Sequence, residues 1–152
     1  VAEERVVATN RKAHHDYFIL ERFEAGIVLT GTEVKSLRAG RANLREAFAR
    51  VEGGEVFLHN LHISPWDFGN RWNHEPTRTR KLLLNKDEIR RLVGKTREAG
   101  KTLVPLRIYF NARGLAKVEL ALAQGKKLWD KRESIARRDE AREIERRLKQ
   151  RA

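Results

Sequence analysis

The apolar residues of this chain fall into short β-type runs broken by glycines and polar turns, and only two segments carry a helical repeat. Between residues 16 and 29 the run Tyr17, Phe18, Ile19, Leu20, Phe23, Ile27, Val28 and Leu29 predicts a strand. Gly26 interrupts that run, which suggests a bulge or bend of the kind small barrels use at corners. Further strands are predicted at 43–51 and 55–63, joined by Gly53-Gly54, a pair that supplies the positive φ a tight hairpin needs. Two more, at 102–110 and 116–123, flank the loop Asn111-Ala112-Arg113-Gly114.

The helical signals are local. Thr30-Gly31-Thr32-Glu33 has the spacing of a capping box, in which a threonine hydroxyl accepts from the third helical N–H and a glutamate reaches back. Val34 and Leu37 continue it, and Gly40 stops it after barely two turns. Asn85 with Glu88 opens a second helix, whose face is Ile89, Leu92 and Val93 and whose end or interruption falls at Gly94. Residues 1–9 are polar and expected to be loosely ordered, and 64–79 form a long irregular loop. Five or six strands with inserted helices predict a mainly β protein, an antiparallel barrel of the oligonucleotide-binding (OB) type.

After residue 123 the pattern changes. Residues 124–152 favour helix but hold few large apolar residues, and Leu128 and Ile135 lie on a different face from Trp129, Ile144 and Leu148. Neither stripe can bury itself well, and an isolated helix of this length is marginal in water. The expectation is a barrel over 1–123 and a basic tail over 124–152, disordered when free and helical when bound.

Charge sharpens this division. The 152 residues carry 33 Lys and Arg against 21 Asp and Glu, a formal net charge of +12. The tail has eleven basic and six acidic residues, net +5, and residues 1–123 carry the other +7. Such an excess implies a polyanionic partner. The tail lacks the broad apolar face of an interfacial helix, which argues against a membrane surface. No run approaches the length of a membrane span and no apolar leader stands at the N-terminus, so a cytoplasmic placement is expected.

Enzyme chemistry finds little support. With no cysteine, thiolate catalysis and zinc–thiolate sites are excluded. Residues 94–102, GKTREAGKT, imitate a phosphate-binding loop, but five residues instead of four separate the glycines, and the segment lies between a helix and a strand rather than the reverse. The histidines His14, His15, His59, His62 and His74 show no metal-ligand spacing; His59 and His62 point to opposite faces if they share a strand. No paired carboxylates or serine–histidine arrangement stand out. No cofactor or metal is expected. Three basic clusters are more informative: residues 10–17 (NRKAHHDY); Arg78, Arg80 and Lys81; and Lys117 with Lys126, Lys127, Lys131 and Arg132. Cations take phosphates, and rings or guanidinium planes take unpaired bases.

Four stretches resemble the SsrA-binding protein (small protein B) family: 10–17 (NRKAHHDY), 26–38 (GIVLTGTEVKSLR), 75–84 (EPTRTRKLLL) and 116–132 (AKVELALAQGKKLWDKR). They run in the family's order over nearly the whole chain. The resemblance implies an OB-type barrel and ribosome rescue by trans-translation. A monomer would bind the tRNA-like domain of transfer-messenger RNA and accompany the alanylated RNA, with elongation factor Tu as an indirect partner, into a stalled ribosome. The barrel would stand in for the missing anticodon arm while the tail occupies the messenger channel of the small subunit.

Residue by residue, the resemblance places RNA contacts at Glu24, Leu83 and Lys117, and expects Asn10 and His15 against the RNA as well. Leu83 also has a plain core reading, since most leucines are buried. In the tail it assigns ribosome contacts to Lys126, Lys127, Trp129, Asp130, Lys131 and Arg132, with Leu148 as an apolar anchor. Trp129 stands where relatives often have histidine or tyrosine; it can stack on a base but exchanges no proton near neutral pH. A general OB-type RNA-binding or ribosome-associated protein is the alternative reading.

Overall fold

In the computed structural model, which describes residues 4–66, 73–98 and 100–126, nine strands and three helices run in the order β1 (Arg5–Thr9), α1 (Arg11–Asp16), β2 (Tyr17–Ile27), α2 (Gly31–Arg38), β3 (Ala42–Asn43), β4 (Phe48–Glu52), β5 (Glu55–His59), β6 (His62–Ile63), β7 (Arg80–Leu83), α3 (Lys86–Thr96), β8 (Lys101–Phe110) and β9 (Ala116–Gly125). Strand pairing closes a ring, β8-β4-β5-β7-β2-β9 and back to β8. Every pair in it is antiparallel, which an even number of strands permits. The result is an OB-like barrel with six strands in its ring. Strand β1 is added outside it, sharing one edge of β8 with β4, and β3 pairs with β6 separately.

The pleat sorts the side chains. Phe23, Ala25 and Ile27 of β2, Val56 and Leu58 of β5, Leu103, Ile108 and Phe110 of β8, and Val118, Leu120 and Leu122 of β9 fill the barrel, joined by Leu37 of α2 and Leu92 of α3. A smaller cluster lies outside the wall, where Ala13 of α1 covers Val104, Leu106, Ala121 and Ala123. Both faces of β8 and β9 are therefore buried here, which explains their nearly unbroken apolar sequences. The two alanines leave room for the helix.

Two bulges bend the wall, at Leu20 and Leu106, and a third lies at Val7 of the added strand β1, each unpaired between registered neighbours. Gly26 is not one of them; it is in register with both Leu83 of β7 and Lys117 of β9. Its role is close packing, because a Cβ there would stand 3.3 Å from Leu83 Cβ.

Other expectations need correction. Residues Arg5–Thr9 are a strand rather than a loose end. The predicted strand at 43–51 is split by a turn before Phe48, and that predicted at 55–63 breaks at Asn60, whose φ is +60°, so His59 and His62 lie on separate strands. Gly94 lies inside α3, which continues to Thr96. Strand β9 includes Gln124 and Gly125, two residues assigned above to the tail. Among the described residues no helix is long and apolar enough to cross a membrane.

Candidate RNA interface

The capping box at α2 forms as its sequence dictates: Thr30 Oγ1 accepts from Glu33 N, and the Glu33 carboxylate accepts from Thr30 N. Glu33 does more than cap. It is fully buried and receives Arg80 Nε and Arg78 Nη2. Arg80, also fully buried, donates to the Leu61 carbonyl at 2.6 Å and to the Pro76 carbonyl at 3.1 Å. Burial alone would raise the Glu33 pKa, but the hydrogen bonds from Arg78, Thr30 N and Arg80 outweigh it and hold the carboxyl below its ordinary value. Lys81 pairs with Glu55 at 2.8 Å. Of the cluster Arg78, Arg80 and Lys81, expected to face RNA, Arg80 is thus buried and structural, while Arg78 and Lys81 are ion-paired within the chain but keep 35% and 40% of their side chains exposed.

The cluster at 10–17 is also organised from within. Asn10 is only 5% exposed. Its Oδ1 accepts from Ala13 N, capping α1, while its Nδ2 donates to the carbonyls of Pro105 (3.0 Å) and Leu44 (3.3 Å) and its backbone N–H to Leu106 O (2.7 Å). It ties α1 to the β8 bulge, and its amide is committed to the fold instead of facing solvent. His15 is exposed beside Asp16, with Nδ1 2.9 Å from Oδ1. Lys126, the last described residue, donates to His14 O at 3.3 Å and lies 5.2 Å from the centre of the Phe18 ring.

Glu24, Leu83 and Lys117 do come together. Leu83, Gly26, Lys117 and Tyr109 are in register across β7, β2, β9 and β8, one row over four adjacent strands. Ala25 and Val118 point inward, so Glu24, Lys117 and Glu119 lie on the outer face. Leu83 is 52% exposed, which removes its core reading. Lys117 has no acidic partner among the described residues. About 30 Å of β2, nine residue steps from Tyr17 to Gly26, separates this group from Lys126, which follows Gly125 opposite Tyr17, whereas Asn10 is bonded to Leu106, three residues before Tyr109 on β8.

Sequence reasoning missed what stands behind Glu24. Tyr109 is 2% exposed, and its pKa is pushed up to about 12 by burial first and then by the charge and hydrogen bond of Glu24. The neutral phenol therefore donates to the Glu24 carboxylate. Arg107 lies 4.1 Å from the centre of the Tyr109 ring and is held by Glu119 and by Glu4 at 3.2 Å. Arg22 also reaches Glu119, at 3.1 Å. The alternation of Arg107 and Tyr109 on β8 was the available signal, but it identifies no partner on another strand. Lys127, Trp129, Asp130, Lys131, Arg132 and Leu148, and the expectation that the tail passes from disorder to helix, lie outside the described residues. No group of His, Cys, Asp or Glu able to hold a metal occurs among the described residues.

A closed OB-like barrel with net charge +12, presenting a lysine without an acidic partner among the described residues, an exposed leucine and a braced carboxylate in one patch, defines the class of a small nucleic-acid-binding barrel protein. A family model described as "SmpB protein" matches residues 7–150. The chain belongs to the SmpB family. It is 65% identical over 147 residues to the SsrA-binding protein of Moorella thermoacetica, covering 97% of this chain and 95% of that one. Against the SsrA-binding protein of Carboxydothermus hydrogenoformans it is 64% identical, covering 97% and 99%. A solved chain from "tmRNA-SmpB: a journey to the center of the bacterial ribosome" is 60% identical, with a TM-score of 0.67 over 78% of this chain and 83% of that one.

Proposed function

We propose that this protein binds the tRNA-like domain of transfer-messenger RNA (SsrA) and delivers it to stalled ribosomes for trans-translation. The observation that carries this reading is 65% identity over 97% of the chain to a protein named for SsrA binding. The exposed row around Gly26 gives it a physical form. Lys117 takes a phosphate, Leu83 offers an apolar face to a base, and Glu24, oriented by Tyr109, accepts from a base amino group. The barrel reads a folded RNA shape, with Asn10 acting through the helix it caps and His15 through its exposed ring. The tail, including Lys126, Lys127, Trp129, Asp130, Lys131, Arg132 and Leu148, enters the ribosome. The protein acts in the cytoplasm by binding and positioning RNA, without catalysis or a cofactor.

A competition titration tests the reading. Labelled tRNA-like domain should be displaced by unlabelled copies of itself far more readily than by unrelated structured or single-stranded RNA. Equal displacement by all three would identify a general RNA-binding barrel instead.

A further inference from the structure

Beside Leu83 and Lys117 lies an open groove of about 300 Å³ whose lining is mostly apolar. Leu83, Leu115, Ile27, Leu29 and Phe110 are among the residues that line it, and Lys117 is the one charged residue in the lining among the described residues. Leu83 and Leu115 are more than half exposed, at 52% and 54%. Leucines this exposed are commonplace singly, but two lining one groove with a cation beside them are not accounted for by folding.

The groove is preformed. Leu115 sits in the β8–β9 hairpin loop, where Asn111 Oδ1 accepts from the N–H groups of Arg113 and Leu115, each at 3.0 Å, and Asn111 N donates to Leu115 O at 2.9 Å. Gly114, at φ +76°, supplies the turn. The missing Cβ of Gly26 lets Leu83 lie against β2. Both leucines are therefore held before any ligand arrives, which lowers the entropy lost on binding.

We infer that this groove receives one unstacked nucleobase of the RNA, sandwiched between Leu83 and Leu115, with its phosphate on Lys117. The inference rests on the RNA-binding reading above and adds to it a base-sized subsite and a contact, Leu115, that the sequence motifs did not single out. Charge selects this occupant. A lysine at the edge of a mostly apolar groove matches a flat apolar ring attached to an anion, and unpaired bases are the parts of a folded RNA that present such a face. An apolar side chain of a protein partner, or of the chain's own tail, would bring no anion for Lys117.

The experiment is a coupling measurement on the full chain with the tRNA-like domain of transfer-messenger RNA. Each unpaired nucleotide is made abasic in turn, and binding is measured to the wild type, Leu115→Ala and Leu83→Ala. One abasic position should weaken wild-type binding about tenfold and weaken both leucine variants no further. The leucine substitutions should leave the salt dependence of binding unchanged, because they remove no charge. Absence of coupling at every unpaired position overturns the groove assignment. Failure of the wild type to prefer this RNA over unrelated RNA overturns the functional reading itself, so the two failures are distinguishable. Leu115 is exposed on a loop, and unchanged urea unfolding of Leu115→Ala separates lost contact from lost fold.

Discussion

Glu33 and Arg80 form an ion pair in which neither side chain has any exposure to solvent. The pair joins the N-terminus of α2 to strand β7, 47 residues later, and Arg80 extends it to the carbonyls of Leu61 and Pro76. Two residues that look like a capping glutamate and an RNA-facing arginine are together a buried cross-link. His74 reinforces the region, with Nε2 donating to Ile63 O at 2.7 Å and Nδ1 2.9 Å from Thr32 Oγ1.

Glu33→Gln should preserve much of the capping box, since glutamine also serves at that position. It leaves Arg80 buried without its counter-charge, and a loss of about 3–5 kcal/mol in unfolding free energy is expected. The acid limb should change as well. The Glu33 pKa is depressed in the fold, so its stabilisation is complete above the unfolded value of 4.5 and is lost as pH falls through the lower folded value. Urea midpoints measured from pH 7 downward should fall less steeply below 4.5 in Glu33→Gln than in the wild type.

Tyr109 should titrate far above an ordinary phenol. Its folded pKa of about 12 lies above the unfolded 10.0, so the stabilisation is present below 10.0 and is lost as pH rises through about 12. A phenolate absorbance titration should show this late component in the wild type and lack it in Tyr109→Phe. The same variant frees Glu24 from its donor and should weaken RNA binding, with no change in salt slope.

Lys117→Ala should reduce the slope of log affinity against log salt by about one unit, the signature of one phosphate contact removed. An unchanged slope would take Lys117 off the RNA surface. Arg80, by contrast, is buried and paired, so a variant that keeps the fold should leave the slope unaltered.

Removing residues 130–152 should leave binding to the isolated tRNA-like domain nearly intact while abolishing peptide tagging on stalled ribosomes. Parallel loss of both activities would contradict the division of labour between barrel and tail.

Local signals in the sequence were readable because their chemistry is local. The Thr30–Glu33 box, the Gly53-Gly54 hairpin and the β8–β9 hairpin each formed where their residues predicted. Strand β1 was missed because its strand partner, β8, lies about a hundred residues away in the chain. Helix α1 buries only Ala13, too little for an apolar period to betray it. The same distance problem hid the fate of Arg78 and Arg80: a cluster of cations reads alike whether it meets phosphate or a buried carboxylate 45 residues upstream. For the RNA surface, the motifs singled out Glu24, Leu83 and Lys117, whereas Tyr109 emerged only from strand register and Leu115 only from the groove it lines beside those residues.

The central claim is the identity of the RNA. The full-length protein should be isolated from its own cells under conditions that preserve complexes, and the RNA it carries sequenced. Transfer-messenger RNA should dominate, enriched far beyond its share of total RNA. A mixture of transfer RNAs and ribosomal fragments in proportion to their abundance would contradict the account.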